Sequence, residues 1–92
     1  MRLRWTQTAV RDLTRICDYI DEHDSPELAR RVALTIYEEV NSLVQFPYLG
    51  RAGRKSNTRE LMFHGLPYLA IYRLRDEIVE ILRILHGAQN WP

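Results

Sequence analysis

Arg2-Leu3-Arg4-Trp5 alternates polar and apolar side chains, the two-residue period of a short half-buried strand. Thr6 and Thr8 follow as hydroxyls suited to capping a helix. Ala9, Leu13, Ile16 and Ile20 then recur at intervals of four, three and four, which lines one side of a helix over about residues 8–22. The stripe stops at Asp21-Glu22-His23-Asp24, and Ser25-Pro26-Glu27 starts a second helix. A hydroxyl stands at the N-cap, a proline at the first helical position and an acid in the first turn. Ala29, Val32, Ile36, Val40 and Leu43 are its buried stripe, and Pro47 sets its end near residue 45 because Phe46 is pushed out of helical geometry. Three apolar runs rich in Ile, Val, Tyr and Phe come last: Thr58 to His64, Tyr68 to Leu74 and Ile78 to His86. Gly65-Leu66-Pro67 and Arg75-Asp76-Glu77 are short enough to join them as hairpins. The pattern predicts an α+β domain with an N-terminal strand, an antiparallel helical hairpin and a three-stranded antiparallel meander. The sheet has four mainly antiparallel strands with both helices on one face.

At 92 residues the chain has room for one core, so residues 1–92 are read as a single domain, and 46% apolar with 27% charged residues is ordinary globular usage. The net charge of +1 excludes nothing by itself, but the charge is unevenly placed. Residues 12–39 hold eight acids against three bases, and residues 40–92 hold seven bases against four acids. Between the helices and the meander, PYLGRAGRKSN is the most basic irregular segment. Cys17 is the sole cysteine, which rules out an internal disulfide and fits a reducing cytoplasm. No run approaches the ~20 apolar residues of a membrane span. So small a domain buries only roughly 60–65% of its unfolded surface, and a protein partner covering more apolar surface would stabilise it.

The acids Asp18, Asp21, Glu22 and Asp24 lack the spacing and central glycine of a calcium loop, so they read as a solvated helix end. Cys17 lies beside an apolar stripe without a CxxC neighbour and reads as a structural thiol. No metal or cofactor is implied. The basic residues carry more information. Arg51, Arg54, Lys55 and Arg59 lie in or just after the loop, and Arg73, Arg75 and Arg83 lie in or beside the following strands. Arginine recognises phosphates through a planar fork and stacks on bases. The competing reading is ordinary surface arginines paired with Glu60, Asp76, Glu77 and Glu80. His86 closes the last strand, either as a strand end or as a group able to move protons near neutral pH. Arg83 and His86 are three apart and face opposite sides of a regular strand. Tyr68 and Tyr72 share a face, where they pack in the core or offer a ring to a base.

Trp5, Ala9, Asp12-Leu13, Ile16, Tyr19-Ile20, Pro47, Gly50-Arg51, Thr58-Arg59-Glu60-Leu61, Tyr68, Tyr72-Arg73, Ile81-Leu82-Arg83, Leu85-His86-Gly87-Ala88-Gln89 and Trp91-Pro92 together resemble the RelE/ParE toxin superfamily. The resemblance spans the chain and implies a type II toxin–antitoxin module, in which a cognate antitoxin neutralises a growth-inhibiting toxin. RelE-like members cut messenger RNA on the ribosome, and ParE-like members inhibit DNA gyrase without being nucleases. On the first branch the resemblance makes Arg59, Arg83 and His86 catalytic candidates, with Arg51, Arg54, Lys55, Arg73 and Tyr68 holding RNA. Translation is the preferred target on this basis, gyrase the alternative, and a non-toxic RNA-binding adaptor the third reading. The sequence departs from the best-known RelE members by ending at Pro92, without their carboxy-terminal helix and its stacking tyrosine. Gln89 also stands where many relatives have an arginine.

Overall fold

The computed structural model describes residues 1–87, so Ala88, Gln89, Trp91 and Pro92 of the resemblance lie outside the described residues. The chain runs β1 (Arg2–Trp5), α1 (Gln7–His23), α2 (Pro26–Ser42), β2 (Arg51–Ala52), β3 (Arg59–Met62), β4 (Tyr68–Arg75) and β5 (Ile78–His86). Both helices start where the caps predict. The Thr6 hydroxyl accepts from Ala9 N–H at 3.2 Å and donates to the Ile81 carbonyl at 2.8 Å, so one side chain begins α1 and ties it to β5. Ser25 accepts from Leu28 N–H at 3.1 Å, with Pro26 at the first helical position. The second helix ends at Ser42, three residues short of the expected limit. Leu43 and Val44 there bond back to residues three earlier, a tightening of the last turn before Pro47.

The sheet has five strands in the order β1-β5-β4-β3-β2, one more than the sequence predicts. The added strand, β2, is two residues long and lies inside the glycine-rich basic loop, where composition hides it. It exists because Arg51 pairs with Glu60 and Ala52 with Arg59 across β3, and Gly53 N–H closes the ladder on the Thr58 carbonyl at 2.8 Å. The β1–β5 pair is parallel and the other pairs are antiparallel. Ala9, Leu13, Val32, Ile36, Val40 and Leu43 from the helices pack on Leu61, Phe63, Ala70, Tyr72, Val79, Ile81 and Ile84 from the sheet region. The alternate positions turn to the face that bears no helix, where Leu69, Ile71 and Leu85 form a second small cluster. No helix among the described residues is long and apolar enough to cross a membrane.

Candidate functional site

Arg59 opens β3, and its side chain turns back onto the loop that follows α2. Its Nε and one terminal nitrogen donate to the Gly50 carbonyl at 3.0 and 2.6 Å, and the same terminal nitrogen donates to the Tyr48 carbonyl at 3.2 Å. The guanidinium carbon sits 5.3 Å from the centre of the Tyr48 ring. Tyr72 fixes the loop from inside. Its hydroxyl donates to the Pro47 carbonyl at 2.8 Å and accepts from Gly50 N–H at 2.9 Å, while the residue has no exposed surface. Gly50 is required here, because a Cβ would lie 2.7 Å from the Tyr72 side chain and 2.8 Å from the Glu60 carbonyl oxygen.

Glu60 organises the other arginines of the loop. Buried in β3, its carboxylate accepts from an Arg51 terminal nitrogen at 3.0 Å and from Arg54 N–H at 3.3 Å, with the Arg54 Nε 3.6 Å away. Burial acts to raise the Glu60 carboxyl. The Arg51 hydrogen bond, the Arg54 N–H and the two positive charges outweigh it and hold the carboxyl below its ordinary value. On the same sheet face, Glu80 accepts from Arg73 at 2.5 Å and pairs with Arg4 at 3.0 Å. This part of the charge pattern is therefore the paired-arginine arrangement that competed with phosphate binding in the sequence.

Arg83 is held by a residue that the sequence reading did not single out for its chemistry. A β-bulge puts Ile71 opposite Arg83 but Tyr72 opposite Ile81, so Leu82 is the extra residue. Pairing with β1 stops at Ile81, and Arg83 reaches round the strand edge to α1. Asp12, 6% exposed, accepts from Arg83 Nε at 2.7 Å, from its terminal nitrogen at 3.0 Å and from Ile84 N–H at 3.0 Å. The carboxylate thus substitutes for a neighbouring strand along the β5 edge. The Asp12 hydrogen bonds raise the Arg83 guanidinium above its ordinary value, burial opposes them, and the Asp12 charge adds to the rise. The signal was present in the helix pattern, because Asp12 is three residues after Ala9 and four before Ile16, on the flank of the apolar stripe.

Two clefts flank this arginine. One, of about 410 Å³, is lined by the cations Lys55, Arg73 and Arg83, the hydroxyls of Thr6, Thr8, Ser56 and Thr58, and Asn57 and Leu82. No carboxylate or imidazole of the described residues lines it. The other, of about 350 Å³, runs between α1 and β5 and contains Tyr68, Arg83 and His86 with Asp12 and Arg15. Tyr68 meets the His86 ring edge-on at 5.7 Å. The strand stays regular from Arg83 to His86, so the two residues start on opposite faces, yet both line one groove without the bend at Leu85 that this would require, because Arg83 passes round the edge. The candidate residues are therefore divided. Lys55 and Arg73 are in one cleft, Tyr68 and His86 in another, Arg83 is between them, and Arg51, Arg54 and Arg59 are at the loop. Cys17 is half-buried, and burial together with the Asp18 charge pushes its thiol up, away from the nucleophilic thiolate.

Residues 3–91 match the family described as the ParE toxin of the type II toxin–antitoxin system, parDE. The chain belongs to the ParE toxin family. It is 44% identical over 91 residues to Y4kP of Sinorhizobium fredii, a toxin candidate, covering 99% of this chain and 93% of that one. It is 40% identical over 85 residues to the toxin RelE2 of Caulobacter vibrioides, covering 92% and 93%. Among solved structures, the chromosomal ParDE system of P. aeruginosa superposes with a TM-score of 0.88 at 32% identity, covering 94% of this chain and 95% of that one. The RelBE2 toxin–antitoxin complex of Mycobacterium tuberculosis gives a TM-score of 0.58 at 27% identity, with coverage of 92% and 95%. The α+β fold inferred from the sequence is the fold of these toxins.

Proposed function

We propose that this ParE-family toxin arrests growth by binding a protein target, DNA gyrase, and that a cognate antitoxin neutralises it. The observation that carries this reading is that Arg59 and Arg83, the cationic catalytic candidates, are bonded within the protein, while His86 lies in a groove that Lys55 and Arg73 do not line. A nuclease brings phosphate-holding cations and a proton-transferring group within hydrogen-bond reach of one phosphodiester. Here His86 lies in the α1–β5 groove with Arg15 and Arg83, and Lys55 and Arg73 lie in the other cleft. Arg83, the described residue common to both, is bonded through two nitrogens to Asp12, and Arg59 bonds backbone carbonyls of the loop. The higher similarity to the ParDE structure than to RelBE2 supports the same branch. Purified protein is expected to block supercoiling by gyrase in the absence of ribosomes, while primer extension on cellular messages after induction finds no new ends. Intact supercoiling together with cut messages would overturn the proposal.

The second reading, ribosome-dependent cleavage of messenger RNA, draws on one feature, the cleft lined by Lys55, Arg73 and Arg83 with no carboxylate among the described residues. Such a lining suits an anion. On that reading the protein is an endoribonuclease, and on the gyrase reading it is not an enzyme. The adaptor reading is separated from both by induction without antitoxin, since an adaptor permits normal growth.

A further inference from the structure

The loop after α2 carries large apolar side chains that the core does not use. Phe46, Tyr48 and Leu49 are 57%, 69% and 57% exposed within four consecutive residues. Exposure of this kind is ordinary for one residue and unusual for three together. The backbone beneath them is held firmly. Leu49 N–H closes a turn on the Phe46 carbonyl at 3.1 Å, Tyr72 bonds Pro47 and Gly50, and Arg59 bonds Tyr48 and Gly50. A buried tyrosine and a partly buried arginine therefore hold an apolar tip out in water. The three side chains contribute little to the interior, and the held backbone removes in advance the ordering cost that a flexible loop would incur on binding.

We infer that residues 46–49 are the knob by which this toxin grips its folded target, entering an apolar pocket with an acidic rim. The inference deepens the reading of a protein target and rests on it. Shape selects the occupant. A projecting, prefixed tip needs a concave partner, and pockets belong to folded proteins, whereas a disordered antitoxin segment that folds on binding needs a groove to lie in. Charge selects the rim. Arg51, Arg54 and Arg59 stand behind the tip with the Glu60 carboxylate among them, and the Arg51 and Arg54 side chains are 66% and 52% exposed. An apolar centre bordered by arginines, with a tyrosine at its most exposed point, has the composition of an interface hot spot.

The test uses the full chain with Phe46→Ser, Tyr48→Ser and Leu49→Ser combined, measured for growth arrest on induction, for inhibition of supercoiling by pure protein and for capture of the antitoxin. Antitoxin capture is expected to persist while growth arrest is lost and the protein needed for half-inhibition of supercoiling rises about tenfold or more. Unchanged potency would overturn the inference. So would lost capture with unchanged potency, which would assign the loop to the antitoxin. If the unsubstituted protein leaves supercoiling intact, it is the gyrase reading that fails. Growth arrest and antitoxin capture of the variant then still decide the role of the loop. Should the triple variant fail to fold, Leu49→Glu and Leu49→Lys replace it. Either charge would be buried in the apolar pocket, so both variants are expected to weaken arrest, the glutamate further because of the acidic rim, and native arrest by either would overturn the inference.

Discussion

At the scale of single residues, Asp12 is the side chain on which the junction of α1 and β5 depends. It satisfies three donors at once, two from Arg83 and the buried N–H of Ile84. Asp12→Ala removes the acceptor of two Arg83 hydrogen bonds and of the strand-edge Ile84 N–H. The expected cost is about 2–3 kcal/mol, below the full value for a buried pair because the Arg83 side chain remains 29% exposed. In a domain of this size that lowers the melting temperature by about 8–24 °C, read by thermal unfolding. Asp12→Asn keeps one oxygen for Ile84 N–H, and its loss is expected to fall between that of Asp12→Ala and none. A melting temperature unchanged by Asp12→Ala would mean that the Arg83 contact contributes nothing to the fold.

The elements show what was legible in the sequence. Both helix starts were readable because Thr6 and Ser25 cap through local hydrogen bonds, and the long strands were readable because their apolar runs are continuous. The hairpin β2–β3 was not, since it is set by Glu60 reaching back to Arg51 and Arg54 rather than by any local propensity. The bulge at Leu82 and the path of Arg83 round the β5 edge were hidden for the same reason, as both depend on partners distant in the chain. Two predictions belong at this scale. Glu60 has its carboxyl lowered in the fold, so its ionised form contributes stability above the ordinary glutamate range, and this is lost as pH falls through that range to the folded value. Urea unfolding between about pH 6 and pH 3 should therefore show a steeper acid decline in the native protein than in Glu60→Gln. Parallel declines would remove Glu60 from the acid limb. The β4–β5 turn supplies the other case, because Asp76 and Glu77 both have positive φ, 52° and 65°. Asp-Gly is a favoured sequence for a two-residue turn of this hand. Glu77→Gly is expected to stabilise the protein by about 0.5–1 kcal/mol, since the relief of a strained side-chain position exceeds the entropy cost of glycine. A lower melting temperature in that variant would contradict the strain.

For the whole molecule, the cleft of Lys55, Arg73 and Arg83 either acts on a phosphodiester or only contributes to the charge of the sheet face. A charge reversal at the exposed Lys55 separates the two. Developing charge in a phosphoryl transition state is stabilised by each preorganised donor, and removing one such group typically costs about 100- to 1,000-fold in rate. Lys55→Glu does more than remove one, because it places a carboxylate where the scissile phosphate would sit. A toxin that cuts messages through this cleft should therefore lose growth arrest entirely. A toxin that grips a folded protein through residues 46–49 changes charge in a cleft that those residues do not line, and substitutions at exposed positions usually alter stability by less than about 0.5 kcal/mol. Its antitoxin capture and melting temperature should also be unchanged. On the gyrase reading, Lys55→Glu is expected to arrest growth as the native protein does and to inhibit supercoiling within about twofold of it, an interval of less than about 0.5 kcal/mol. Loss of arrest in a variant that still folds and still binds antitoxin would return the cleft to the centre of the mechanism. It would make the division of His86 from Lys55 and Arg73 a feature of the uncomplexed toxin, to be closed by the ribosome.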